Sequence, residues 1–222
     1  MEDYACMIKD AEKMIEKAMW QTVTDENHER ELEIYLKAKG ILDSMGDLSP
    51  SLKKEHARVL SYCLMRIANT EAILDKKSGI EKERESLRLA EISEDEVQIA
   101  RALLALGIGL LNQGKLPEAE NQWRRVFKIA QDHEDNNDMQ QVLGWTLVVR
   151  SNVLMGKSLY NQALALALEA SGILSSISNY AGMAVANRAL ANAYRALGNN
   201  KQAEKCNQLA EFYQQKAREE YK

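Results

Sequence analysis

The segment GIGLLNQGKLPEAE (residues 107–120) comes nearest in this chain to a phosphate-binding loop, with Gly109, four residues, and then Gly114 and Lys115. Such a loop needs a preceding strand, and it needs Ser or Thr after the lysine to reach magnesium. Here Leu116 follows the lysine, and the apolar residues before Gly109 recur at the three-and-four spacing of a helix. The pattern therefore predicts a turn between two helices instead of a nucleotide site.

Histidine and cysteine, which serve most often in metal and nucleophilic sites, are sparse and scattered. The three histidines lie far apart without carboxylates or cysteines at ligand spacing, which disfavours a metal site: His28, His56 and His133. No Gly-flanked nucleophile turn of the hydrolase type is present. We therefore expect no catalytic residues, no metal, no cofactor and no enzymatic activity.

Composition favours a helical protein of the cytoplasm. Hydrophobic residues make up 45% of the 222 residues and charged residues 28%, and there are only two prolines. Apolar runs are far shorter than the ~18 residues of a membrane span, and the first residues lack the pattern of a secretion signal. Three widely separated cysteines suit free thiols in a reducing compartment. A net charge of −4 disfavours nucleic-acid binding, which needs many Lys and Arg residues.

Breaks rich in Gly, Pro, Asn, Asp and Ser divide the chain into about ten helices that form five pairs, and no sheet is expected. The predicted pairs are 3–19 with 26–44, 52–74 with 80–92, 94–113 with 117–132, 139–155 with 160–177, and 181–197 with 201–221.

The last three pairs align without gaps, which indicates an internal repeat. Four columns of the alignment hold residues of similar size: Gly107, Ser151 and Ala191; Leu110, Leu154 and Tyr194; Ala119, Ala163 and Ala203; Val126, Ala170 and Ala210. The alanines that open the second helices are 44 and 40 residues apart. Each pair must bury its apolar faces against its neighbours, so the pairs are expected to stack.

These columns resemble the tetratricopeptide repeat (TPR) family, and the spacing looks like the longer-helix subclass of kinesin light chains and some bacterial signalling regulators. The fourth pair departs from the motif at Arg150, where the motif has Leu, and at Ser158, where it has Gly. The resemblance implies an all-α, right-handed superhelical solenoid of antiparallel helix pairs. We expect one domain over 1–222, with degenerate repeats or a helical cap in 1–93, the best repeats in 94–198, and a terminal helix with a polar outer face in 199–222.

Charge changes sign along the chain. Residues 1–100 contain 15 basic and 22 acidic residues, whereas residues 143–198 contain four basic residues and one acid, Glu169. Depletion of acids over such a length is unusual in an acidic protein; an acidic partner is one interpretation, and a solvated surface, the usual meaning of charge runs, is the other.

In TPR proteins one stripe of each first helix lines a concave groove, and this resemblance implies a set of partner-binding residues. They are Arg101, Leu104, Ile108, Trp145, Val148, Asn152, Met155, Arg188, Asn192 and Arg195. An Asn side chain can pair with both N–H and C=O groups of a peptide, and Arg forms two-pronged bonds to carboxylates. The alternative is that Trp145, Val148 and Val149 pack against neighbouring repeats, since apolar stripes more often form core.

These features together predict a non-catalytic interaction module or adaptor. Its groove would bind a peptide or helix of another protein, without nucleic acid or membrane. The alternative is a self-associating scaffold protein that forms homo-oligomers through its end faces.

Overall fold

The computed structural model describes residues 3–25, 27–74 and 80–220. For residues 21–25 it describes the backbone alone. Within those ranges the chain forms ten α-helices and no strand, which confirms the predicted all-α class. The helices are α1 (Tyr4–Asp25), α2 (His28–Asp43), α3 (Pro50–Ile73), α4 (Ile80–Ser93), α5 (Glu96–Asn112), α6 (Leu116–Gln131), α7 (Asn137–Gly156), α8 (Tyr160–Ser176), α9 (Tyr180–Ala196) and α10 (Asn200–Glu220).

Most helix boundaries lie within two residues of the prediction, and α1 is the main exception. It continues to Asp25, whereas the sequence pattern ended it at residue 19. The stretch after residue 19 contains Thr and Val but no Gly or Pro. The β-branched residues lower helix propensity only slightly and do not end a helix by themselves.

Several helices begin at an Asp or Asn side chain that accepts a hydrogen bond from a backbone N–H in the first turn. Asp95 accepts from the N–H of Gln98 at 2.8 Å, and Asn136 accepts from that of Met139 at 3.0 Å. Such capping satisfies N–H groups that have no partner within the helix. The short polar breaks in the sequence therefore fix where these helices start.

In the last three pairs, the first helix (α5, α7 or α9) ends in a left-handed turn of the same kind. Gly114 and Gly198 have φ of 75° and 79°, and Ser158 adopts the same conformation at 58°. In each turn the following N–H donates to a carbonyl five residues back, for example Leu159 N to Leu154 O at 3.0 Å. Ser158 thus occupies the glycine position of the repeat, as the gap-free alignment predicts.

The chain divides into two compact units, Met1–Arg125 (unit 1) and Val126–Lys222 (unit 2). Unit 1 has a core of α1, α2 and α3, which buries among others Ile8, Tyr35 and Ile67. Gly107 of α5 faces Trp123 of α6, and the indole lies where a Cβ on residue 107 would stand. Glycine is therefore required at that helix crossing.

Unit 2 has a core rich in alanine. Its buried residues include Leu147, Val148, Ala167, Ala170, Leu174, Ala186 and Leu190. Gly144 approaches Leu174 so closely that an added Cβ would lie 2.6 Å from Leu174 Cγ. Small residues let helix backbones come near one another. The core of unit 2 is therefore filled by closely spaced helices instead of large side chains.

Three of the four repeat columns are buried at every position, whereas in the column of Leu110 the residues Leu154 and Tyr194 are half-buried. Ala119, Ala163 and Ala203 are each at most 2% exposed. In unit 2 the Ser151 hydroxyl donates to the Ala163 carbonyl at 2.8 Å, so this small residue joins the two helices of its pair. These contacts explain why each of these columns requires a small side chain.

Candidate functional site

The predicted binding residues of unit 2 lie on α7 and α9, which contact each other. Four polar side chains of the set are exposed: Asn152, Arg188, Asn192 and Arg195. Trp145 and Met155 are half-buried, so part of each side chain is accessible. Val148 is only 2% exposed and belongs to the core of unit 2, as the packing alternative holds. Val148 therefore supports this surface from beneath and does not line it.

On α9, the two exposed arginines are hydrogen-bonded to neutral groups. Arg195 Nη1 donates to Asn192 Oδ1 at 3.2 Å, and Arg188 donates to Gln214 Oε1 of α10. An amide oxygen orients a guanidinium without cancelling its charge. We call the exposed residues Arg188, Asn192 and Arg195 the α9 polar stripe; it keeps its positive charge.

Neither α7 nor α9 carries an acid between residues 143 and 198, although α10, which packs on α9, carries Glu204, Glu211 and Glu219. Glu169, the one acid between residues 143 and 198, is exposed on α8. The basic residue Arg150 of α7 lies over the ring of Phe127, with Cζ 5.1 Å from the centroid. Arg150 thus packs on an aromatic side chain, whereas Arg188 and Arg195 extend from α9.

In unit 1, the predicted residues Arg101, Leu104 and Ile108 are half-buried on α5. Arg101 Cζ lies 5.7 Å from the centroid of Tyr62 on α3, and the Tyr62 hydroxyl donates to Met19 Sδ of α1 at 3.3 Å. One residue from each of three helices therefore forms a continuous row. Tyr62 was not among the predicted residues, although Tyr62 and Arg66 stand four residues apart and so share one face of α3.

A second charged cluster of unit 1 was also missed. Arg58 makes a two-pronged ion pair with Glu12, at 2.7 and 3.0 Å. Arg66 donates to Glu31 at 2.9 Å and to the Tyr35 hydroxyl at 3.1 Å, and Tyr35 donates to Glu31 at 2.6 Å. Partners at 35 and 46 residues' separation leave no local signal in the sequence.

Glu31 is the centre of this cluster, and it is 3% exposed. Burial raises its pKa, but hydrogen bonds from Tyr35 and His28 and the charge of Arg66 outweigh burial and hold the pKa below its ordinary value. His28 Nδ1 lies 3.0 Å from Glu31 Oε2. The carboxylate is thus an ionised structural anchor.

The phosphate-loop residues do not form an anion site. Gly109 lies within α5, and an added Cβ would lie 2.9 Å from Glu83 Oε1 of α4. Lys115 is exposed in the turn, and α6 begins at Leu116. A buried carboxylate beside Gly109 would repel phosphate, so the geometry supports the helix-turn interpretation.

The remaining candidates for chemistry have structural partners. His56 Nε2 lies 3.0 Å from the Leu42 carbonyl oxygen. Cys63 is buried with its thiol 3.3 Å from the Tyr35 carbonyl, and burial raises its pKa to about 12. Over residues 3–25, 27–74 and 80–220, no group of three or more His, Cys, Asp or Glu side chains could hold a metal ion. None of the helices described is long and apolar enough to cross a membrane.

Two solved structures resemble the chain over nearly its whole length. BtubC (BKLC) from P. vanneervenii has a TM-score of 0.55 at 15% sequence identity, and the match covers 96% of this chain and 91% of that one. A candidate kinesin light chain of Podosopora anserina with nearly identical TPR-like repeats has a TM-score of 0.51 at 13% identity, covering 97% of this chain and 98% of that one. No protein-family model matches the chain, and no curated protein does. Likeness at these identities establishes the fold, which is all-helical and built of TPR-like repeats.

Proposed function

We propose that this protein is a non-catalytic interaction module that binds an acidic segment of a partner protein on α7 and α9 of unit 2. The observation that supports it is the α9 polar stripe. Arg188 and Arg195 are exposed there, and the side chains that orient them, Gln214 and Asn192, are uncharged amides. An unbalanced pair of guanidinium groups on one helix face attracts carboxylates.

The spacing of the stripe suits a peptide. Arg188 and Arg195 are seven residues apart, which is two helical turns or roughly 10.5 Å along the axis. Asn192 lies between them, and its amide retains N–H donors for a peptide carbonyl while its oxygen accepts from Arg195. A ligand with two acidic residues two or four positions apart in an extended strand, which spans roughly 7 or 13 Å, would present both carboxylates to the arginines from one face.

Apolar contacts would come from the neighbouring helix. Trp145 and Met155 of α7 are half-buried, and Asn152 on the same helix is exposed. Aromatic and Met side chains of this kind contribute much of the affinity at protein interfaces. We therefore expect a ligand that combines acidic residues with at least one apolar side chain.

Unit 1 offers a separate surface of the same type. Leu104 and Ile108 of α5 form its apolar part, and Arg101 lies over Tyr62 at its edge. We propose it as a second contact surface, less dependent on charge than that of unit 2.

Selection from a library of random peptides displayed on phage tests the proposal directly. Peptides recovered on the native chain should be enriched in Asp and Glu, and Arg188→Glu with Arg195→Glu should weaken their binding by about tenfold or more, since hydrogen bonds to charged groups are worth roughly 1.5–3 kcal/mol each. Binding is measured by fluorescence anisotropy with synthetic copies of the peptides.

The control is Arg124→Glu with Lys128→Glu, the same charge change at two exposed positions of α6. It should leave binding within about twofold at physiological salt, because neither residue belongs to the proposed site and exposed charges outside it are screened by salt. Recovery of no specific peptide, or equal loss in both double variants, would contradict the proposed site.

A further inference from the structure

The last helix, α10, carries two stripes of side chains with the same spacing. Its inner stripe packs along α9 and is formed by small residues and one tyrosine: Ala203, Cys206, Ala210, Tyr213 and Ala217. Its outer stripe consists of Lys205, Leu209, Phe212, Lys216 and Glu219, spaced four, three, four and three residues apart. At 100° per residue the two stripes lie about 120° apart around the helix. A four-three spacing is that of a helix–helix seam.

The outer stripe corrects the expectation of a wholly polar face on this helix. Leu209 is 44% exposed and Phe212 is 52% exposed. In stacked repeats the outward stripe of a final helix is polar because no further repeat covers it. Leu209 and Phe212 are neighbours on one helix face, so together they offer an apolar patch against which another helix can pack.

Phe212 is held in place before any partner arrives. Its ring packs edge-on against Tyr213 with centroids 5.3 Å apart, and Lys216 Nζ lies 5.9 Å from the Phe212 centroid. Tyr213 in turn stacks with Tyr180 of α9 at 6.3 Å. An apolar side chain fixed in this way loses little conformational entropy on association.

We propose that α10 pairs antiparallel with α10 of a second copy of this chain across a two-fold axis at Phe212. Charge on the outer stripe favours that occupant and that direction. Lys205 lies seven residues before Phe212 and Glu219 seven residues after it. In the antiparallel pair each Lys205 faces Glu219 of the other copy, whereas a parallel pair would set Lys against Lys and Glu against Glu.

The charged ends of the stripe remain accessible for that contact. Lys205 is exposed, and the Glu219 side chain is 46% exposed even though it accepts from Lys216 at 3.1 Å and from Gln215 at 3.0 Å. A carboxylate has room for further donors. With 21 residues, α10 offers a seam of roughly 31 Å, and its two-fold symmetry makes the contact self-complementary.

Sedimentation equilibrium of the whole chain over a range of concentrations tests this pairing. The native chain should form dimers, and Phe212→Glu should weaken dimerisation by about 30-fold or more, as expected for a central aromatic contact of ~2 kcal/mol or more. Leu168→Glu is the matched control, because Leu168 is 49% exposed on α8, away from α10. It should leave the dimer intact.

Charge exchange tests the direction of the pair. Lys205→Glu alone and Glu219→Lys alone should each weaken dimerisation by about tenfold, because each sets two like-charge pairs across the axis. The double variant restores opposite charges and should return dimerisation to near the native value. Circular dichroism verifies that each variant is helical.

If the chain stays monomeric at every concentration, the proposal is wrong, and the outer stripe does not bind a second copy of the chain. A dimer insensitive to Phe212→Glu would also overturn it, and failure of the double charge variant to recover would overturn the antiparallel pairing. None of these results depends on peptide binding at α7 and α9.

Discussion

Units 1 and 2 differ in the side chains that bond to their arginines. In unit 1, Arg58 is paired with Glu12 and Arg66 with Glu31, so carboxylates compensate both guanidinium groups within the fold. In unit 2, Arg188 and Arg195 are oriented by Gln214 and Asn192, which carry no charge. The same residue type therefore forms ion pairs at these positions of unit 1 and bonds to uncharged amides at these positions of unit 2.

This difference separates structural from functional charge. An arginine paired with a buried carboxylate is costly to remove, because the remaining charge loses its partner. An exposed arginine on a neutral partner contributes little to stability and remains available to a ligand. Stability and binding measurements should therefore respond to different arginines.

The largest expected effect is from removal of Arg66. Arg66→Met should lower the free energy of unfolding by about 3–5 kcal/mol, because Glu31 would remain buried without its ion pair. Arg188→Met, the matched change in unit 2, should alter it by no more than about 0.5 kcal/mol. Urea denaturation followed by circular dichroism measures both, and equal losses would contradict the distinction between the units.

A smaller effect, with the opposite sign, is expected at Glu83 in unit 1. The residue is 6% exposed, and its Oε2 lies buried without a hydrogen bond. Burial raises the pKa of the carboxyl despite the positive charge of neighbouring Lys82. Glu71 also raises the pKa. Glu83→Gln should stabilise the protein at pH 7 by roughly 1 kcal/mol, because the buried charge is removed.

The pH dependence gives the sign of the Glu83 effect. A carboxyl whose folded pKa is raised binds more protons in the folded state than in the unfolded state. Its contribution to stability is complete below the ordinary Glu pKa, and it is lost as pH rises to the raised pKa. Glu83→Gln should remove the decline in thermal stability that the native chain shows as pH rises above the ordinary Glu pKa. Glu85→Gln, at a carboxyl whose pKa Arg88 lowers, should not.

The smallest effect is expected in the turn of unit 2 after α7. Ser158 has φ of 58°, a left-handed conformation that glycine adopts without strain. Ser158→Gly should raise the free energy of unfolding by about 0.5–1 kcal/mol, and Gly198→Ser at the equivalent turn should lower it by a similar amount. Differential scanning calorimetry compares the two; changes of the same sign would show that the two turns are not equivalent.

Much of the fold could be predicted from spacing because helices and turns depend on local chemistry. The ten helices follow from apolar periodicity and polar breaks, and the repeat columns follow from the need for small residues where helices cross. Ser158 was placed in the glycine column by alignment alone, and the structure confirms it. The end of α1 was missed because Thr and Val are weak signals for a helix end.

The candidate site could be predicted only in part. Asn152, Arg188, Asn192 and Arg195 are exposed, as a binding role requires, but Val148 is buried. Sequence periodicity gives the direction of a side chain around its helix, yet it does not say how closely the next helix covers that direction. Arg101 was predicted, but Met19 and Tyr62, which form a row with it, were missed because the three residues belong to three different helices.

The sequence by itself determined the helices, their pairing, the small residues at their crossings and the reversal of charge along the chain. These features depend on the spacing of residue types along the chain or on composition, so they can be inferred from the sequence without knowledge of tertiary contacts. Only the tertiary structure decided which arginines meet carboxylates and which meet amides. It also decided that Val148 is core and that Leu209 and Phe212 are exposed, because burial depends on side chains that are distant in sequence.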